Sequence, residues 1–150
     1  MEIYDSLLGA VCDEYDRVTL IKKSERGEVT LIRHRASGNR YIFRHFSGSS
    51  EVYRKLLTVS CPNLPQIMEV GEKEGKTALL EEYVQGDTLG EILQGGLLTA
   101  AQAKQITRQL CMALWVLHSL GVVHRDVKPD NVIIRGTEAV LIDFDASRIY

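Results

Sequence analysis

Apolar and polar side chains alternate through the first half of the chain. Residues 17–23 (RVTLIKK), 28–34 (EVTLIRH) and 40–46 (RYIFRHF) are rich in β-branched and aromatic residues, and the turn-forming segments SERG and RASGN separate them. That pattern predicts three antiparallel strands in a meander. Ahead of them, residues 4–15 have the spacing of a short amphipathic helix. After them, residues 49–59 place Val52, Leu56 and Val59 at helical spacing, and CPNLP breaks the run. Residues 66–84 read as two strands joined by a hairpin at Gly75.

The pattern changes after QGD at 85–87. Thr88 to Glu91 and Thr99 to Gln102 both have the spacing of a capping box, in which the two side chains satisfy each other's backbone donors. The first predicts a short helix. The second opens a long helix to about Leu120, with Gly121 placed to end it. Two short strands, NVII and AVLID, follow. This is an α+β arrangement: a β-rich half over 1–84, a hinge near 84–87 and a helical half over 85–150. The middle of the long helix, QLCMALWVLHSL, is apolar on nearly every side, so it needs cover all round. Mostly loop and short strand follow it. The expectation is that its cover lies beyond residue 150. The face around Leu110, Met112, Leu114, Trp115 and Leu117 is then open to self-association.

Composition narrows the function classes. A formal charge of −2 provides no basic field for nucleic acid or an anionic membrane surface. The longest apolar run, residues 110–117, is far short of a membrane span, and the acidic N-terminus does not resemble a signal peptide. Three widely spaced cysteines, Cys12, Cys61 and Cys111, fit neither a disulfide framework nor a zinc site and imply a reducing, cytoplasmic compartment.

The chemistry is concentrated in HRDVKPDN, residues 124–131. One loop carries a carboxylate (Asp126), a lysine (Lys128) and an amide (Asn131). Phosphoryl transfer needs these groups: the carboxylate orients an attacking hydroxyl and accepts its proton, the lysine offsets charge on the moving phosphoryl, and the amide oxygen is a hard ligand for Mg2+. Asp143 ends the second strand, where a rigid backbone can hold a carboxylate against a metal.

These residues resemble the eukaryotic-type serine/threonine protein kinase family. HRDVKPDN matches its catalytic loop, the Lys128-Pro129 pair resembles the serine/threonine branch, and DFD at 143–145 stands where the family has Asp-Phe-Gly. LLEEYVQGDTL is similar to its hinge segment. The resemblance implies a protein-kinase-like bilobal α+β fold, truncated after the Asp-Phe-Gly-like motif. It implies ATP and Mg2+ as cofactors and a protein substrate. Asp126, Lys128 and Asn131 take catalytic roles, and Asn131 and Asp143 hold metal. Glu82 and Val84 present backbone to adenine, with Glu81 at the gatekeeper position. Arg44 stands where the family has its phosphate-binding lysine, and Glu51, the sole acidic residue between Arg44 and Glu69, becomes its expected partner. Aligned on Val29, the glycine-rich loop keeps Gly27 and has Lys22 and Ser24 at the other two glycine positions. Asp145 replaces a glycine, and His124 is expected to pack as a structural residue.

Three functions follow from this reading. The first is a protein kinase whose residues 1–150 handle nucleotide and are inactive alone. The second is a pseudokinase-like binding or regulatory module, favoured by Arg44 and the poor glycine loop. The third is a small-molecule kinase of the aminoglycoside or choline type, favoured by IDFDA and disfavoured by the Lys-Pro pair.

Overall fold

The computed structural model describes residues 2–150, which divide into two compact units. One holds the chain up to Val59 together with Gln66–Tyr83, and the other holds Ser60–Pro65 and Val84–Tyr150.

The first unit is built on a five-stranded antiparallel sheet. Helix α1 (Ile3–Glu14) precedes β1 (Tyr15–Lys23), β2 (Gly27–His34) and β3 (Arg40–Ser47); helix α2 (Glu51–Leu56), β4 (Ile67–Lys73) and β5 (Lys76–Glu82) follow. The strand order is β1-β2-β3-β5-β4. The β4–β5 hairpin turns on Glu74 and Gly75, both at positive φ, the conformation whose twist suits a two-residue hairpin loop.

Register sorts the side chains of this sheet onto two faces. Thr30 faces Phe43 and Phe43 faces Leu80, with Ile32 and Ala78 on the same side. Helix α1 covers that side: Tyr4, Leu7 and Val11 join Ile32, Phe43, Ala78 and Leu80 in one buried cluster. Close approach needs Gly71, where an added Cβ would lie 2.4 Å from the Tyr4 nitrogen. Asp5 pairs with Lys73 at 2.8 Å, and the Tyr4 hydroxyl meets His45 Nε2 at 2.8 Å. Arg35 closes the helix end. Its guanidinium donates to the Cys12, Asp13 and Tyr15 carbonyls and to the Asp16 carboxylate, and its backbone N–H donates to Glu14. These bonds satisfy carbonyls that a helix terminus leaves open, so Tyr15 starts β1 instead of extending the helix.

Helix α2 is shorter than the spacing of Val52, Leu56 and Val59 suggests. It ends at Leu56, and the Leu57 N–H turns back to the Arg54 carbonyl. Residues 60–65 then pack with the second unit, although the sequence places them in the first half. Asn63 is the clip: its side-chain amide donates to the Ala139 carbonyl, and its own carbonyl accepts from Leu141 N–H.

The second unit starts with β6 (Asp87–Thr88) and α3 (Leu89–Gln94). It continues through α4 (Ala100–Ser119), β7 (Val122–Val123), a 3-10 turn at Pro129–Asn131, β8 (Val132–Arg135), β9 (Glu138–Leu141) and β10 (Arg148–Ile149). Both capping boxes form, Thr88 with Glu91 and Thr99 with Gln102. Gly121 follows α4 at φ 78°. The apolar run of α4 is unevenly covered: Ala113 and Leu117 are buried, Leu110 and Leu114 half-buried, and Met112 and Trp115 exposed. The open face is therefore narrower than five residues, because Leu117 belongs to the core.

Candidate functional site

In the second unit the residues of HRDVKPDN are brought together by a single buried histidine. His124 is 1% exposed. Its Nδ1 accepts from the Asp126 N–H at 3.1 Å, so the ring proton sits on Nε2, which faces the Ile142 carbonyl at 3.0 Å. The Phe144 ring meets it edge-on at 5.5 Å, and the Ser147 hydroxyl donates to its carbonyl. One side chain thus ties the loop before Asp126 to the segment carrying Asp143.

Asp126 is hydrogen-bonded at one carboxylate oxygen and faces a lysine at the other. Asn131 Nδ2 donates to Oδ2 at 3.0 Å and to the Asp126 carbonyl at 2.9 Å, and Lys128 Nζ stands 3.7 Å from Oδ1. Both donors of the Asn131 amide group point at Asp126, so its carboxamide oxygen faces the other way. The Asn131 carbonyl accepts from Ile142 N–H at 2.9 Å, which sets Asp143 one residue from that bond. Asp143 has φ 65° and Arg125 has φ 73°. Left-handed backbone is costly at non-glycine residues and concentrates at functional loops. At Asp143 the local turn is supported by the Asp145 N–H, which donates to Asp143 Oδ1 at 3.1 Å. Asp145 serves this turn through its backbone. Strand β10 pairs with β7 and returns the chain beside the loop.

The donor set suits a hard divalent cation of the Mg2+ type. An amide oxygen and a carboxylate are available at Asn131 and Asp143, and no group of three or more His, Cys, Asp or Glu side chains forms a metal cage among the described residues. Mg2+ ordinarily takes one or two protein oxygens and completes its shell with phosphate and water.

In the first unit, register puts Lys22 opposite Val29, Val29 opposite Arg44, and Gly27 opposite Phe46. These residues share the sheet face opposite α1. Gly27 lies against β3: an added Cβ would stand 2.2 Å from the His45 carbonyl oxygen. Strand packing alone therefore requires glycine there.

The structure corrects the expected partner of Arg44. The Arg44 guanidinium pairs through Nε with Glu81 of β5, and both are buried, at 7% and 2% exposure. Glu51 is exposed in the first turn of α2. The reason is helical geometry. Tyr53 is the buried residue of that turn and packs on Phe46, and residues two apart on a helix point to opposite sides. The start of α2 is instead fixed by Glu72, which accepts from Ser50 N–H at 2.7 Å; that bond holds the Glu72 carboxyl below the usual carboxylate range. Glu81 was legible only as an acid at the gatekeeper position; it shares the sheet face of Thr77 and Leu79 on a strand buried on both faces. Glu82 exchanges bonds with Gln66, through its backbone N–H and its carboxylate, and Val84 is a buried residue of the second unit.

The family model described as a protein kinase domain matches residues 16–150. The chain belongs to the protein kinase family. It is 35% identical over 100 residues to serine/threonine-protein kinase pkn2 of Myxococcus xanthus, covering 64% of this chain and 12% of that protein. It is 38% identical over 85 residues to serine/threonine-protein kinase D of Synechocystis sp., covering 55% of this chain and 16% of that one. The chain thus spans well under a quarter of the length of either relative. Among solved structures, Rad53 1–466 in complex with AMP-PNP has the same fold, with a TM-score of 0.75 and 22% identity over 89% of this chain and 39% of that one. Helix α1 lies ahead of the segment that matches the kinase family.

Proposed function

We propose that this protein kinase transfers the γ-phosphoryl group of ATP to serine or threonine hydroxyls of protein substrates, with Mg2+ as cofactor. The observation that carries the reading is the clamped Asp126. Its carboxylate is held by Asn131 and Lys128, and Asp143 stands one residue beyond the Ile142–Asn131 bond. Asp126 orients the substrate hydroxyl and takes its proton, and Lys128 offsets charge on the phosphoryl group. Asn131 and Asp143 would hold Mg2+, which when bound neutralises charge on the phosphate oxygens. Arg44 binds phosphate, with Gly27 and Val29 on the same sheet face, while the backbone of Glu82 and Val84 receives adenine. Relatives named as serine/threonine-protein kinases and a structural neighbour titled as an AMP-PNP complex support this assignment.

Residues 1–150 cover 39% of the matched Rad53 chain. By themselves we expect them to bind nucleotide and to leave protein substrates unphosphorylated. A cytoplasmic location accords with three free cysteines and with the absence, among the described residues, of a helix long and apolar enough to cross a membrane.

The test is phosphate transfer from radiolabelled ATP to a mixed serine/threonine substrate by the whole protein, compared with Asp126→Asn. Loss of general-base catalysis is worth about 100- to 10,000-fold. Equal rates in the two proteins would sink the assignment of Asp126. A second reading, a nucleotide-binding pseudokinase-like module, is favoured by one observation: Arg44 is already paired with a buried carboxylate. ATP binding without transfer in the whole protein would select it.

A further inference from the structure

The likeness to protein kinases does not account for the pairing of Arg44 with Glu81. Strands β3 and β5 are antiparallel neighbours in which Arg44 faces Leu79 and Ile42 faces Glu81. Arg44 and Glu81 are therefore diagonal neighbours on one sheet face, within reach of long side chains. A guanidinium that is 7% exposed needs an anion beside it, and the Glu81 carboxylate, 2% exposed, supplies one. Helix α2 reaches this face through Tyr53, whose ring lies 5.9 Å from Phe46, while its single acidic side chain, Glu51, is exposed.

We propose that Glu81 is the positioning residue for Arg44, so that the sheet itself sets the phosphate-binding cation and no acidic residue of α2 takes part. The inference rests on the reading of Arg44 as a phosphate ligand. Its physical basis is the difference between a ladder and a packed helix. Backbone hydrogen bonds fix neighbouring strands about 4.8 Å apart. A helix resting on side chains can shift against the sheet beneath it. A cation anchored by β5 is then positioned by the sheet and not by the acid of α2.

The test separates phosphate affinity from adenine affinity, because a merely structural Glu81 would affect both. Calorimetry is run on the chain with ATP in EDTA and with adenosine, for the parent, Glu81→Gln, Glu81→Asp and Glu51→Gln. Glu81→Asp keeps the charge and withdraws it by one methylene, so it carries the test if Glu81→Gln does not fold. Both Glu81 variants are expected to bind ATP at least tenfold more weakly and adenosine within twofold of the parent, and Glu51→Gln to change neither. A second measurement needs only the parent: in a 15N spectrum the Arg44 Nε–H resonance is slow to exchange, and ATP shifts it. Glu81 variants that keep ATP within twofold, or that lose ATP and adenosine equally, overturn the proposal. A tenfold loss in Glu51→Gln, or an Arg44 resonance that ATP leaves in place, does the same. A parent that binds adenosine and not ATP overturns the phosphate role of Arg44 itself, and with it the proposal.

Discussion

Replacing His124 by phenylalanine tests whether one buried ring holds the candidate catalytic loop together. Phenylalanine keeps the planar ring and its edge-on contact with Phe144, so the change is confined to two hydrogen bonds. The Ile142 carbonyl loses its donor and the Asp126 N–H loses its acceptor. The bond from Ser147 to the His124 carbonyl is to backbone and survives. Each buried polar group left without a partner costs about 1–3 kcal/mol. The two together predict a loss of about 2–6 kcal/mol, reduced where the loop relaxes enough for water to reach the Asp126 N–H. A value near 3 kcal/mol is expected. That is a large part of the ~5–15 kcal/mol by which a domain is stable.

Urea unfolding followed by far-UV circular dichroism measures the change, with His124→Gln as the companion. A carboxamide offers one donor and one acceptor, and restoring either bond is worth about 1 kcal/mol. The order parent, then Gln, then Phe is therefore expected at constant denaturant slope, since a change of slope would mean a different unfolded or native ensemble. A Phe variant within about 0.5 kcal/mol of the parent, the usual spread of surface changes, would refute the reasoning. His124 would then be a space-filler, and Asp126 would owe its placement to Asn131 and Lys128 alone.

If Asp143 holds Mg2+ as proposed, Asp143→Asn removes its charged hard oxygen; calorimetry should show weaker Mg-ATP binding and unchanged ATP binding in EDTA, and equal Mg-ATP affinity would count against the metal assignment. Leu7→Ala empties a site that is 3% exposed under α1, and chemical denaturation should register a loss of about 2–4 kcal/mol; a loss below about 1 kcal/mol would mean that α1 is not part of the core. Burial, and next the charge of Lys76, hold the His45 imidazole below its ordinary 6.5, so the unfolded chain takes up the proton first. Stability from this group is fully present above pH 6.5 and declines as pH falls from 6.5 towards the lower folded value; His45→Gln should flatten that part of a melting-temperature profile, and an unchanged slope would assign it to other groups.

Much of this fold could be read from the chain because the decisive interactions are local. The alternation in β2 and β3 follows from one face packing on α1, where Ile32 and Phe43 are buried, and the other carrying Val29, Arg44 and Phe46; β1 is exposed along most of its length. The capping boxes at Thr88 and Thr99 close over three residues, so spacing alone specifies them. The loop from His124 to Asn131 is similar: Asp126 is clamped by residues two and five positions away. What spacing could not supply are contacts whose two halves lie far apart in sequence. Asn63 joins the second unit through Ala139, 76 residues on, and no local pattern in CPNLP carries that. The coverage of α4 also depends on distant partners, so its periodicity could not separate the buried Leu117 from the exposed Trp115.

Arg44 is the instructive case. Elimination along the chain pointed to Glu51, seven residues away, because a helix was expected to supply the acid. The acid that is present lies 37 residues on, within β5. The sequence did hold a clue. A glutamate directly after the apolar run Ala78-Leu79-Leu80, on a strand buried on both faces, is expensive to bury unless a cation meets it. Arg44 sits inward on the neighbouring strand and bears the same cost. Breaking such a pair by neutralising one partner costs about 3–5 kcal/mol, whereas replacing both by apolar residues is often neutral. Stability alone therefore gives no reason to keep two charges there. The proposed binding task for the cation would, which makes the Arg44→Met, Glu81→Met double variant informative: on that proposal it should stay folded and lose ATP.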